Sequence, residues 1–92
     1  MIKTVLVCYD ICEPKRLRKV YQTLRGYGEH LQYSVFLCEL TRVQLQELNA
    51  ALLRIIDEED DQVLIIPTAN RNQFEYLGKE LPDKERMIYI IG

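Results

Sequence analysis

The segment VLVCYDICEPKRLRKVYQTLRGYG, Val5 to Gly28, places an apolar strand, a lone carboxylate and a basic helix in immediate succession, and it decides the fold. Ile2 to Tyr9 is rich in β-branched residues and is apolar on both faces over Val5-Leu6-Val7-Cys8, the pattern of a central strand with protein on either side. Asp10 stands at its carboxyl end. Glu13-Pro14 opens the next element, proline being suited to a first helical turn, and Leu17, Val20, Tyr21 and Leu24 recur at helical spacing. Gly26 and Gly28 stop the helix.

Further along, Leu31 to Leu40 reads as strand, with Leu31, Tyr33, Val35 and Leu37 on one parity and Phe36, Cys38 and Leu40 on the other. The pattern fits one long strand or a hairpin bent near Tyr33-Ser34. Thr41 and Gln44 form a capping box, and Leu45, Leu48, Leu52, Ile55 and Ile56 supply the stripe of a second helix that ends near Asp57. The acidic run Asp57 to Asp61 reads as a solvated turn, because five like charges repel and stay wet. Gln62 to Pro67 is a third strand. Phe74 to Leu77 and Met87 to Ile91 are two further strand candidates, separated by a polar loop over 78–86. Strands and helices in this order imply an α+β sandwich, helices on one face of a mainly antiparallel sheet.

The chain has 92 residues and a net charge of −2, enough for one small domain that gains from association with a partner. That total hides an asymmetry. Residues 1–28 carry six Lys/Arg against two acids, whereas the remainder carries six against twelve. On a helical wheel Arg18 and Arg25 share one flank of the apolar arc, Arg16 lies on the other, and Lys15 and Lys19 face outward. No acid occurs from Lys15 to Gly28, so these cations lack the partners of an ordinary salt-bridged helix face, and phosphate binding competes with mere solubility as their purpose. No apolar run is long enough to span a membrane and no secretory signal is present, so the expectation is a cytoplasmic protein without a membrane partner. Three cysteines in such a chain are read as free thiols.

Asp10 has two readings, a turn or cap residue and a ligand to a hard cation. One carboxylate makes a poor Mg²⁺ site, but a two-fold dimer with Asp10 near its axis would supply two. Zinc is disfavoured: Cys8, Cys12, Cys38 and His30 formally make a ligand set, but the Cys8/Cys12 spacing is not that of a zinc ribbon, and Cys8 and Cys38 lie within strand patterns. His30, after the Gly26-Gly28 turn, is expected at the surface. No phosphate-cradling glycine motif or Ser/His/Asp set can be assembled.

Tyr9-Asp10-Ile11 closing the first strand, RLRKVYQTLRGYG as the basic helix, QYSVFLCEL as the next strand and a leucine-rich helix before EEDDQVLIIP together resemble the small CRISPR-associated Cas2 family over nearly the whole chain. The resemblance implies a single ferredoxin-like βαββαβ domain over 1–92 with an extra C-terminal strand. It also implies a homodimer in which the loop and strand over 78–92 are exchanged with, or added to, the partner's sheet. The implied function is a nucleic-acid-binding subunit of the CRISPR adaptation (spacer acquisition) machinery, partnered by an integrase subunit, with Mg²⁺-dependent endonuclease activity on single-stranded RNA or on DNA. Asp10 matches the family's metal-binding, catalytic acid, and Tyr9, Arg16, Arg18 and Phe36 match positions associated with its site or nucleic-acid surface. Two other functions suit the same fold: a stand-alone, toxin-like ribonuclease and a non-catalytic regulatory module that binds a small ligand.

Overall fold

The computed structural model describes residues 1–79, so the expected loop and strand at the carboxyl end, Met87 to Ile91, lie outside the described residues. Within them the order is β1 (Lys3–Asp10), α1 (Pro14–Arg25), β2 (Gly28–Gln32), β3 (Val35–Leu40), α2 (Arg42–Ile55) and β4 (Gln62–Pro67). The four strands form one sheet in the order β2-β3-β1-β4, and every neighbouring pair is antiparallel. This is the expected βαββαβ sandwich. β1 is central because both of its faces can be covered: Val5, Val7 and Tyr9 are buried against the helices, while Leu6 and Cys8 are half-buried on the other face.

Each helix begins where its local chemistry satisfies the first free amides. The Glu13 carboxylate accepts the Arg16 N–H at 2.8 Å and Pro14 occupies the first turn. Amides of Arg16 and Lys15, in that order, hold the Glu13 carboxyl below its usual range. Thr41 and Gln44 close the capping box in both directions, at 3.1 and 2.9 Å. Val20, Tyr21 and Leu24 of α1 and Leu48 and Leu52 of α2 then bury against Val5, Val7, Phe36, Cys38 and Leu40 of the sheet.

The segment Leu31 to Leu40 is a hairpin. Its strands turn at Tyr33-Ser34, with a register shift between His30 and Gln32, and the Tyr9 amide donates to the Ser34 carbonyl at 3.0 Å to anchor the turn on β1. Gly28 begins β2 close against the facing strand: a Cβ there would lie 2.5 Å from both Cys38 Sγ and the Leu37 carbonyl oxygen. His30 shares the inward parity of Gly28, so it is buried rather than at the surface as expected, 1% exposed. It stacks on Phe36 with centroids 4.9 Å apart, meets Tyr21 edge-on at 5.2 Å, and its Nε2 lies 3.0 Å from the Tyr33 carbonyl oxygen.

Phe74 to Leu77 is not a strand. Asn70 caps a 3₁₀ turn over Arg71–Gln73, and the chain then crosses the sheet face opposite the helices instead of joining an edge. Arg71 pins this crossing to Glu29 at 2.6 Å and approaches Glu39 at 3.9 Å. Phe74, Tyr76 and Leu77 line an open groove of about 420 Å³ there with Leu6, Cys8, Leu31 and Val35.

Candidate nucleic-acid and metal site

Asp10 ends β1 opposite Gln62 of β4, on the parity of Leu6 and Cys8. Its side chain is exposed and has no hydrogen bond or ion pair with another described residue. The chain leaving it, Ile11 to Glu13, turns sharply into α1. That turn is fastened by Asp61, the last residue of the acidic run.

The Asp61 side chain is fully inaccessible, yet its two oxygens receive four N–H groups. Oδ2 accepts from Arg16 Nε at 2.7 Å and from the Asp57 amide at 2.8 Å; Oδ1 accepts from the Cys12 amide at 2.9 Å and from Arg16 Nη2 at 3.2 Å. The Arg16 guanidinium holds the Asp61 carboxyl well below the usual carboxylate range, against the opposing effect of burial and with help from the two amides. The Cys12 thiol adds a contact to the Asp60 carbonyl at 2.9 Å. The acidic run is therefore a turn as expected, but its last member is buried rather than solvated, because Arg16, in the first turn of α1, reaches across to it.

The expected site residues divide into three groups. Asp10 and Arg18 are exposed, and Arg18, like Lys15, Lys19 and Arg25, makes no salt bridge among the described residues. Arg16 is half-buried and occupied by Asp61. Tyr9 and Phe36 are core residues, 6% and 0% exposed, packed beneath the surface that carries Asp10 and Arg18. The Tyr9 hydroxyl donates to the Tyr33 carbonyl at 3.3 Å, and burial pushes its phenol above the ordinary range. Phe36 fills the space between Tyr9, Tyr21 and His30, with its ring 5.5 Å from that of Tyr21.

No group of three or more His, Cys, Asp or Glu side chains gathers as a metal site among the described residues. Cys38 faces the helices and Cys8 the opposite side of the sheet, so the formal zinc set is dispersed. For a hard cation, Asp10 fits as a single uncommitted carboxylate, one ligand of a site that other oxygens must complete.

The family model for CRISPR associated protein Cas2 matches residues 3–76. The chain belongs to the Cas2 family. A relative from Thermodesulfovibrio yellowstonii, named CRISPR-associated endoribonuclease Cas2 2, is 43% identical over 86 residues, covering 91% of this chain and 94% of its own length. A crystal structure of Streptococcus pyogenes Cas2 at pH 6.5 superposes with a TM-score of 0.74 at 34% identity, covering 82% of this chain and 99% of that one. A hypothetical protein of Thermus thermophilus superposes with a TM-score of 0.82 at 34% identity, covering 89% and 98% respectively. The matched span includes every element from β1 to β4 and both Asp10 and Asp61.

Asp61 is the part of this arrangement that the sequence hides. Its run of acids reads as water-exposed, and the only signals were its place directly before an apolar strand and the unpartnered Arg16 in the first turn of α1.

Proposed function

We propose that this Cas2-family chain is a homodimeric, Mg²⁺-dependent endonuclease subunit of the CRISPR adaptation machinery, working beside an integrase subunit, with Asp10 from each copy as metal-binding and catalytic acid. The observation that carries this reading is the exposed, uncommitted Asp10 carboxylate at the end of a central strand, beside a helix whose outward cations make no salt bridge among the described residues. Bound Mg²⁺ would polarise a phosphoryl oxygen and acidify a water for in-line attack. Arg18, Lys15 and Lys19 would hold phosphates, which gives binding that weakens steeply with salt. Tyr9 and Phe36 serve from below, packing the strand and hairpin that carry the acid. Two Asp10 carboxylates near a two-fold axis would repel one another, and a shared cation or the phosphate it accompanies relieves that repulsion.

Asp10→Asn tests the reading on a single-stranded RNA oligonucleotide and on duplex DNA. Cleavage is abolished, while binding holds or tightens because a negative charge near the phosphates has been removed. Capture of DNA with the integrase, which depends on holding a fixed span, continues. Cleavage that persists in Asp10→Asn, or in excess chelator, overturns the catalytic assignment.

A further inference from the structure

The residue that the proposed chemistry leaves unused is Asp61. Burying an ionised carboxylate is costly unless every lone pair is matched, and here four donors match them. Three of the four come from the segment that follows Asp10: the Cys12 amide and two nitrogens of Arg16. The Cys12 thiol reaches the Asp60 carbonyl, and the β1–β4 ladder ends with Asp10 opposite Gln62, the neighbour of Asp61. Asp10 is thus held from two directions, by the ladder before it and by the clamp just after it.

The same contacts fix what Arg16 can do. Its planar fork lies against both oxygens of a carboxylate that has no exposure, and with Nε and Nη2 so engaged it has no free side-on fork for the bidentate contact arginine makes with phosphate. Arg18 is exposed and makes no salt bridge among the described residues. The two arginines therefore divide the work.

We infer that Asp61 is a positioning residue for Asp10, acting through Arg16 and the Cys12 amide, and that Arg16 serves this clamp rather than a phosphate. The inference rests on the proposed role of Asp10 for its effect on cleavage, but not for its effect on the loop.

The test uses the full chain carrying Asp61→Asn, Arg16→Ala, Arg16→Lys, or Asp61→Asn with Arg16→Ala. Cleavage of a single-stranded RNA oligonucleotide is measured over a range of Mg²⁺, together with the affinity for that RNA over a range of salt. Amide hydrogen exchange is followed at residues 10–13. Loosening a group by about 1 Å can cost roughly 100-fold in rate, so each single variant should lose about 10- to 100-fold in kcat, with the RNA Kd and its salt slope unchanged. The double variant should be no worse than either single, since the pair works as one unit. Arg16→Lys keeps the charge but loses the fork, folds most readily of the set, and should behave like Arg16→Ala. Exchange at the Cys12 amide should speed up in every variant.

Three results overturn the inference. One is a salt slope reduced by about 0.7 per chain in Arg16→Ala but kept in Arg16→Lys, the mark of a single-strand phosphate contact. The second is a folded Asp61→Asn protein with parental kcat when Asp10→Asn is inactive. The third is unchanged exchange at Cys12. If Asp10→Asn itself still cleaves, the proposed role of Asp10 is what has failed, and the salt slopes and exchange rates decide the clamp by themselves.

Discussion

Gly28→Ala places one methyl group where the hairpin has no room for it. The new Cβ would meet the Leu37 carbonyl oxygen and Cys38 Sγ at 2.5 Å each and Cys38 Cα at 3.1 Å, when ordinary contact begins at 3.4 Å. The thiol is fully buried in the core cluster, and the carbonyl is main chain on the facing strand, so neither can swing away. Relief requires β2 and β3 to part by the better part of an ångström at their first paired position, Gly28 opposite Cys38. Forcing extra volume into a packed site costs about 1–3 kcal/mol. Gly28 does not have a positive φ, so alanine also restricts the unfolded chain, a gain of about 0.4–1 kcal/mol that offsets part of the strain. The net expectation is a loss of about 1–2 kcal/mol, which for a chain of this size lowers Tm by roughly 5–15 °C. Urea unfolding followed by circular dichroism, at one fixed protein concentration, should show the midpoint falling with the slope unchanged. Cys38→Ala in the same chain removes one of the two close contacts and leaves the other, so the two substitutions together should cost less than the sum of their separate costs. A Gly28→Ala protein with the parental midpoint would refute the close approach on which this reasoning depends.

Two further predictions concern titration and reactivity. Asp61 and Glu13 are both held below their ordinary carboxylate range in the folded chain, so their stabilisation is complete only above about pH 5 and is lost as pH falls through the folded values. Urea midpoints measured from pH 6 down to pH 2 should decline less steeply for Asp61→Asn than for the parent, and parallel declines would contradict the assignment. Burial pushes the Cys38 thiol up to about 11, whereas Cys12 is exposed although its thiol is also raised, by partial desolvation and then by Asp61, Asp10 and Asp60. Iodoacetamide at pH 8 should label Cys12 in the native protein and reach Cys38 only on unfolding; equal labelling by mass spectrometry would show that the core is open.

The elements that could be read from the sequence were those whose signals are local. β1, α1 with Pro14 in its first turn, the Thr41-Gln44 capping box and β4 over Gln62–Pro67 follow from period, caps and β-branched runs, and each forms where those signals stand. Whether Leu31 to Leu40 would bend could not be read, because both alternatives keep the same alternation until the shift at His30/Gln32 is known. Phe74 to Leu77 has strand composition but no edge to pair with once Asn70 and Arg71 redirect the chain. The site itself was legible only at Asp10 and in the unpartnered cations of α1. Phe36 and Tyr9 look available in a linear motif, and only the stacking of His30, Tyr21 and Phe36 shows them to be interior. Arg16 and Asp61 are 45 positions apart, a separation at which no periodicity connects two residues.

That separation has a consequence for how the chain acquires its site. The β2-β3 hairpin and the two helices are built from near neighbours, but the last turns of β1 wait for a strand that begins some fifty residues downstream. Closing so long a loop must be compensated by contacts that exist only once it is closed. A nascent chain that ends before Asp61 already holds the residues of β1, α1, the hairpin and α2, yet it has nothing to fasten the turn after Asp10. The acid on which the proposed chemistry depends is therefore fastened only in a chain that already extends through Asp61, and a chain cut short before that residue lacks the clamp.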